Sequence, residues 1–301
     1  MSLARIFLET LLPVMVLAAL GMLLRRWLQL DPKPLSQVVF YAFAPSLVFQ
    51  LLLHNPFTLG EMLRMASFVV VLLAAMAVIA VVVARVFKLD RTMTSALMLC
   101  IVFMNAGNLG LPINQLAFGT VTLAWASVFF STTSLLSNSI GAWIASVGRA
   151  TPRIALIGLA KVPAVYAIPL ALVLHSAGVT LPPVVEVPVS LLAGAAVPSM
   201  LLLLGMQLSG NSHRSHIGLL GVVAAARLVV SPLIAWGLTA AFRFPPAAVQ
   251  AGILEAAMPT AVLNSILASQ YDVEPEFVSS AILFTTLLSP LTLTPLLLAL
   301  Q

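Results

Sequence analysis

Two stretches of the sequence combine helix-disrupting residues with polar side chains. The first holds Asn105, Gly107, Asn108, Gly110 and Pro112 within eight residues. Proline lacks a backbone N–H and clashes with the preceding turn, so a helix kinks or breaks there. A broken helix exposes an N-terminus whose partial positive charge favours an anion, and asparagine amides can also donate to one. The stretch therefore predicts contacts from Asn105 and Asn108 to an anionic substrate, at a helix break shaped by the glycines and the proline.

The second stretch carries a carboxylate beside a proline. Pro259 should free the carbonyl of Glu255, four residues earlier, next to the carboxylate of the same residue. Hard cations take oxygen ligands, so this pair predicts a cation site; the alternative is a proton site, because a carboxyl group in apolar surroundings keeps its proton to higher pH. Thr260 and Asn264 are four residues apart and would share a helix face, where we expect them to contact substrate.

Other readings of these residues remain open. The first stretch would also suit a packing kink, with glycines that let helices approach closely. Arg227 lies deep in an apolar run, where a buried arginine is costly and often functional; it would equally serve as a structural tie to helix-end carbonyls. No spacing of His and Cys suggests a metal site, and no set of Ser, His and Asp suggests an enzyme. We therefore predict neither enzyme activity nor a resident cofactor, apart from Na⁺ or H⁺ as a coupling ion.

Composition decides which elements must position these residues. The chain has 301 residues, of which 61% are hydrophobic and 8% are charged. A typical soluble domain has about 25% charged residues, so the chain has too few to cover a soluble surface. The net charge of +5 is scattered between long apolar runs, which excludes a nucleic-acid partner and leaves the lipid bilayer. The sequence predicts an all-α polytopic membrane protein.

Ten apolar runs are long enough to cross a bilayer, which takes about 20 residues. We number the predicted spans one to ten; they run over residues 4–24, 34–53, 65–87, 94–116, 121–147, 155–175, 183–208, 216–241, 246–270 and 276–300. Most Lys and Arg residues of the joints follow odd-numbered spans, and the positive-inside rule makes that side cytoplasmic. Both termini are then predicted to lie outside, in the periplasm if the membrane is a bacterial inner membrane.

The two halves of the chain resemble each other. The run Ala44–Leu47 (APSL) is echoed by Val197–Met200 (VPSM), and Phe130–Thr133 is echoed near Phe284 at almost the same offset. The pattern predicts two five-span repeats, residues 1–150 and 151–301. Because five is odd, the second repeat would be inverted, and inverted repeats are typical of secondary transporters. Spans four and nine, which hold the two polar stretches, occupy equivalent places in the repeats.

These motifs resemble the auxin efflux carrier family, which includes plant auxin carriers and bacterial organic-acid permeases. The resemblance rests on the run from Asn105 to Pro112 (NAGNLGLP), the run from Ala226 to Pro232 (ARLVVSP) and residues 256–271, and it covers essentially the whole chain. It implies crossed, broken helices four and nine, with Asn105 as substrate-binding residue and Pro112 and Pro259 as crossover prolines. It also implies a scaffold of helices 1, 2, 6 and 7, a transport domain of helices 3–5 and 8–10 that moves like an elevator, and often a homodimer.

The fold is also shared with bile acid/sodium symporters, in which an acid before the ninth-helix crossover helps to hold sodium. Glu255 is similar in position, and Ser131 and Thr132 of span five would complete such a Na⁺ site. This analogy rests on fold alone. The sequence thus predicts a secondary active transporter of a small organic anion, either a mono- or a dicarboxylate, auxin-like or malate-like, coupled to Na⁺ or H⁺. The alternative is an uncoupled uniporter or channel for small organic solutes.

Overall fold

The computed structural model describes residues 3–54, 57–146, 162–208 and 216–301. Within these ranges the chain is helical, and an isolated bridge between Met104 and Thr260 is its only β-type pairing. We number the helices as follows: α1 Phe7–Leu28, α2 Pro32–His54, α3 Leu59–Val86, α4 Arg91–Val102, α5 Leu111–Phe118, α6 Thr120–Ala145, α7 Ala164–Ser176, α8 Pro183–Leu208, α9 Ile217–Phe242, α10 Pro246–Ala256, α11 Leu263–Tyr271 and α12 Pro275–Ala299.

Seven of these helices are long and apolar enough to cross a membrane: α1, α2, α3, α6, α8, α9 and α12. Each coincides with one predicted span. Predicted spans four and nine are each divided, into α4 with α5 and into α10 with α11. Span six is represented by α7, since the first part of that span lies outside the described residues. The protein is therefore an all-helical membrane protein, while the count of ten spans and their inverted repeat stay predictions.

Side chains at the joints fix where several helices begin. Asp31 precedes α2 and accepts from the backbone N–H of Lys33 at 3.0 Å, with Pro32 in the first turn. At the start of α3, Thr58 and Glu61 each accept the other's backbone N–H in a capping box. Such caps satisfy N–H groups that the helix itself leaves without acceptors. The short polar joints therefore fix where these helices begin. The apolar runs that follow fix how long they are.

The helices pack as α1 on α8 and α2 on α7, with the divided helices surrounded by α3, α6, α9 and α12. The contact of α1 with α8 is close enough to exclude side chains. A Cβ atom at Gly21 would overlap the carbonyl of Leu202, and one at Gly205 would overlap the carbonyl of Ala18. Small residues at membrane-helix contacts let the backbones approach in this way. Both glycines thus allow the close contact between these two helices.

Predicted span four breaks earlier along the chain than Pro112 indicated. The chain leaves α4 at Phe103, whereas Pro112 lies in the first turn of α5. A π-helical turn, Ala106–Gly110, precedes α5 and continues into it, and the N–H of Leu111 donates to the carbonyl of Ala106. Residues 106–118 therefore form one helical stretch, which we call the crossover half-helix. Pro112 lies inside this stretch, nine residues after the break at Phe103, and does not make the break.

Candidate functional site

The two breaks meet at the centre of the divided helices. The backbone N–H of Asn105 donates to the carbonyl of Pro259 at 2.8 Å, and the N–H of Ala261 donates to the carbonyl of Phe103 at 3.0 Å. The segment that follows α4 and the segment that follows α10 thereby supply hydrogen-bond partners to each other's backbone groups. In a membrane interior an unpaired backbone group costs several kcal/mol, so this exchange is what allows both helices to open at membrane depth.

Arg227 secures the ends of the first halves. It is fully buried within a π-helical turn of α9, Ala226–Val230. Its guanidinium donates to the carbonyl of Ile101 in α4 at 3.1 Å and to those of Ala256 and Met258, at the end of α10, at 3.0 and 3.1 Å. Helix C-termini carry partial negative charge and carbonyls without intrahelical donors. Of the two interpretations of Arg227, the structure shows the contacts of a tie between helix ends.

Thr260 and Asn264 lie apart from the expected substrate surface. Both are fully buried, and both donate to carbonyls in the last turn of α4: Thr260 to Cys100 at 3.0 Å and Asn264 to Leu99 at 2.8 Å. The end of a broken helix leaves carbonyls that need donors, and these two side chains supply them. In this conformation they hold the crossover together and do not line a cavity.

A polar cavity of about 110 Å³ lies between the crossover and the helices α2 and α8. Asn105, Gly107 and Asn108 line it, as sequence analysis predicted for the two asparagines. The N-terminal turn of the crossover half-helix and that of α11 both end in this cavity, and neither has a side-chain cap. None of the described residues that line the cavity is charged. Its electrostatic character therefore comes from two helix N-termini and from amide and hydroxyl groups.

Several polar atoms at this cavity have no partner in the structure. They are Nδ2 of Asn105, Oγ1 of Thr133 and Oγ of Ser137, and all three are buried. The amide of Asn108 instead donates to Oε1 of Gln207 in α8 at 3.1 Å. Buried polar groups normally have hydrogen-bond partners, so each exception calls for an explanation. Here one explanation covers all three, since a ligand in the cavity would meet these donors.

Sequence analysis missed Thr133, Ser137 and Gln207. It chose Ser131 and Thr132 on the same helix, yet these donate to the carbonyls of Ser127 and Val128, one turn earlier, at 2.7 and 2.9 Å. The four-residue spacing of 133 and 137 places both on one helix face, and this signal could have found them. Gln207 had no comparable signal, because its role follows from where α8 packs.

Glu255 is buried behind the cavity, away from its lining. Its Oε1 accepts from the amide of Asn114 at 2.9 Å, and Oε2 has no partner. The same amide donates to the carbonyl of Gly110 at 2.9 Å, so Asn114, which sequence analysis missed, joins α5 to α10. The carbonyl of Glu255, predicted to be free, accepts from the N–H of Met258 at 3.2 Å because the chain tightens before Pro259. That part of the cation-site prediction was wrong.

Two glycines let neighbouring helices approach the crossover half-helix. A Cβ atom at Gly110 would overlap the carboxylate of Glu255, and one at Gly107 would lie 2.8 Å from the ring of Phe130. The carboxylate thus rests against bare backbone. Among the described residues, no group of three or more His, Cys, Asp and Glu side chains could hold a metal ion. Ser131 and Thr132 donate to carbonyls of their own helix, and the Na⁺ site that they would form with Glu255 stays a prediction.

Three proteins that resemble this chain are named as transporters. Over 289 residues, 95% of both chains, it is 28% identical to a protein of Methanothermobacter thermautotrophicus named as an uncharacterised transporter. It is 26% identical, over 274 residues and 87% of both chains, to a similarly named protein of Methanocaldococcus jannaschii. A Rhizobium meliloti protein whose name refers to malonate transport is 28% identical over 278 residues, 87% of this chain and 85% of the relative.

The sequence profile of the family described as membrane transport protein matches two segments, residues 6–157 and 146–297. Together these segments take in nearly the whole chain and include both breaks. Long apolar helices agree with that family. The chain therefore belongs to the membrane transport protein family, the auxin efflux carrier family whose motifs its sequence carries, and is an integral membrane transport protein.

Proposed function

We propose that this transporter carries a small organic anion, a mono- or dicarboxylate, through the polar cavity. The observation that carries the proposal is the meeting there of two uncapped helix N-termini with the unpartnered amide of Asn105. A helix N-terminus is equivalent to about half a positive charge. Two of them supply roughly one charge, enough to balance one carboxylate at a cavity whose described lining holds no cationic side chain.

The cavity, of about 110 Å³, is suited to a small solute. Within the class of small carboxylates, we propose short, malate-like acids. The name of the Rhizobium meliloti relative, which refers to malonate transport, supports the same class. A dianion would bring about one charge more than the two N-termini balance, which favours transport together with a cation.

The mechanism we propose is alternating access of the elevator type. In this scheme α3–α6 and α9–α12 move against a scaffold of α1, α2, α7 and α8. The position of the cavity supports this division, because Asn105 and Asn108 meet Gln207 of the scaffold across it. The packing of α1 on α8 and of α2 on α7 supports the inverted repeat, which relates these two pairs. A homodimer in a bacterial inner membrane, with both termini outside, belongs to the same proposal.

Coupling to Na⁺ or H⁺ at Glu255 completes the proposal. A fully buried carboxylate with one amide donor and one unpartnered oxygen is costly, and a bound cation would offset that cost. Sodium would use the oxygen lone pairs of Ser131 and Thr132, which stay available while these hydroxyls donate to helix carbonyls. A proton would require no further ligand. Both ions therefore remain in the proposal, and experiment separates them.

Uptake of radiolabelled malonate into proteoliposomes tests the transport function. We expect accumulation against a gradient and counterflow, neither of which a channel produces. Asn105→Ala should lose most uptake, since a hydrogen bond to a charged group contributes about 2 kcal/mol, or about thirtyfold in affinity. Asn138→Ala is the matched control, because Asn138 bonds within α6 and does not line the cavity. Equal uptake by Asn105→Ala and wild type would refute the proposed contact.

Thermal stability of the purified protein tests binding and coupling separately. Ligand at about 100 times its dissociation constant should stabilise the protein by about 2.7 kcal/mol. A panel of carboxylates in Na⁺ or K⁺, at two pH values, identifies the ligand and its cation dependence. A sodium-dependent shift that is absent in Glu255→Gln supports sodium coupling, and a shift that follows pH alone supports proton coupling. If neither ion affects binding or uptake, the protein is an uncoupled uniporter.

A further inference from the structure

A second cavity, of about 220 Å³, lies on the other side of the crossover half-helix. Asn108 lines the polar cavity, whereas Leu109 and Ile113 of the same half-helix line this second one. The remaining walls come from α1, α8 and α12. We call this second cavity the apolar cleft. It separates two helices of the proposed scaffold, α1 and α8, from two helices of the proposed transport domain, α5 and α12.

The walls of the apolar cleft offer almost no hydrogen bonds. None of its described lining residues is charged, and among them only Thr286 and Ser289 carry hydroxyl groups. The Ser289 hydroxyl already donates, at 2.8 Å, to the carbonyl of Thr286, which Pro290 leaves without its helical donor. One hydroxyl, that of Thr286, is unpartnered. The cleft therefore suits an apolar occupant.

Water and vacuum are both poor occupants of this space. A buried water needs two to four polar partners, and the several waters that would fit here would share one free hydroxyl. An empty cleft would deprive its walls of dispersion contacts on one side. Hydrocarbon satisfies both conditions, since it needs no hydrogen bonds and supplies close contacts. The chemistry of the walls thus selects an alkyl chain.

The mouth of the cleft shows where such a chain would come from. Met15, Met22 and Leu287 line the cleft and are also exposed, at 44%, 37% and 66%. They belong to α1 and α12, which are long and apolar enough to span a membrane. Their exposed surfaces therefore face the hydrocarbon of the bilayer, and the cleft opens into it. Deeper in the cleft, Val14, Ile113 and Leu293 are buried.

We propose that one acyl chain of a bilayer phospholipid occupies the apolar cleft and contacts the rear face of the crossover half-helix. The chain fills the space between α1 and α8 on one side and α5 and α12 on the other. Its contacts with Leu109 and Ile113 lie on the same half-helix as Asn108, which Asn105 directly precedes. The lipid and the polar cavity are therefore on opposite sides of one helix. This inference does not depend on which solute is transported.

Photolabelling from the bilayer tests the proposal on the intact protein. The protein is reconstituted into phosphatidylethanolamine and phosphatidylglycerol vesicles that contain a phospholipid with a diazirine midway along one acyl chain. After illumination, mass spectrometry of peptides locates the adducts. We expect adducts on the buried walls, at Val14, Ile113 and Leu293, as well as on exposed lipid-facing residues. Adducts confined to exposed residues would overturn the proposal, whether water, a second copy of this chain or closure of the cleft kept the lipid out.

A cleft-filling variant provides a second, independent measurement. Ala19→Phe places a ring at the mouth of the cleft, because Ala19 lines it. Val16→Phe is the matched control, since Val16 is on the same helix, is exposed and does not line the cleft. We expect Ala19→Phe to lose the adducts at Ile113 and Leu293 while Val16→Phe keeps them. Retention of these adducts in Ala19→Phe would show that the label reaches those residues by another path, and would overturn the proposal.

Discussion

The crossover half-helix separates two cavities that differ in size and in chemistry. On its Asn108 side lies the polar cavity of about 110 Å³, where buried donors lack partners. On its Leu109 side lies the apolar cleft of about 220 Å³, where one hydroxyl lacks a hydrogen-bond partner. The smaller cavity is the better candidate for the transport site, because unpaired donors demand a polar ligand while apolar walls accept any hydrocarbon. Adjacent residues of one helix therefore face two different media.

The largest effect on stability should come from removing Arg227, which ties the ends of α4 and α10 together. Arg227→Leu leaves the carbonyls of Ile101 and Met258 without a side-chain donor, although Ala256 keeps the hydroxyl of Ser231 at 2.7 Å. A buried unsatisfied group costs about 1–3 kcal/mol, so we expect a loss of about 4 kcal/mol. Thermal unfolding in detergent measures this change.

Arg243→Leu is the control for that variant, because Arg243 is exposed at the end of α9. It should unfold like wild type. If Arg227→Leu were equally stable, the contacts of Arg227 would not hold the helix ends, and the functional interpretation of this arginine would regain support.

A pair of leucines compares the apolar cleft with the closed helix interior. Leu99 and Leu293 are both buried, but only Leu293 lines the apolar cleft. A buried Leu→Ala change costs about 2–5 kcal/mol when the cavity stays empty. We expect about 3 kcal/mol for Leu99→Ala and about 1 kcal/mol for Leu293→Ala, since lipid can fill the space beside Leu293. Unfolding in lipid nanodiscs measures both, and equal losses would contradict an accessible cleft.

The glycines of the crossover half-helix should respond unequally to a methyl group. Gly110→Ala drives a Cβ atom into the carboxylate of Glu255, which Asn114 holds in place, and overpacking of this kind costs about 2 kcal/mol. Gly107→Ala meets only the edge of the Phe130 ring, which can turn aside, so we expect about 1 kcal/mol or less. Thermal unfolding of the two variants provides the comparison. A larger loss in Gly107→Ala would mean that Phe130 is more rigid than Glu255.

The smallest effect concerns the bond across the polar cavity. In Gln207→Leu the amide of Asn108 loses its side-chain acceptor. A bound carboxylate can then accept the hydrogen bond from Asn108 without displacing Gln207. A neutral hydrogen bond contributes about 1 kcal/mol, so malonate affinity should rise up to about fivefold. Gln50→Leu is the control, because Gln50 bonds to Ser190 away from the cavity. Weaker binding in Gln207→Leu would show instead that Gln207 itself contacts the substrate. Ligand-dependent thermal shifts measure both variants.

Sequence analysis located the breaks but misjudged several roles within them. Asn105 and Asn108 were predicted to face a ligand, and the structure places both at the cavity. Thr260 and Asn264 are also polar and similarly spaced, yet they donate to carbonyls of α4. Polar side chains near a helix break serve either a ligand or the backbone groups that the break exposes. Spacing along one helix does not distinguish these uses, because the carbonyls belong to another helix.

What the sequence determined by itself is the local part of the fold. Long apolar runs demand a membrane, prolines and caps start helices, and polar residues in two of the runs predict interruptions. Only the tertiary structure decided which groups meet: Arg227 with the ends of α4 and α10, Asn114 with Glu255, and Asn108 with Gln207. These partners lie far apart along the chain. Their pairing follows from close packing of separate helices, and no pattern within one helix specifies it.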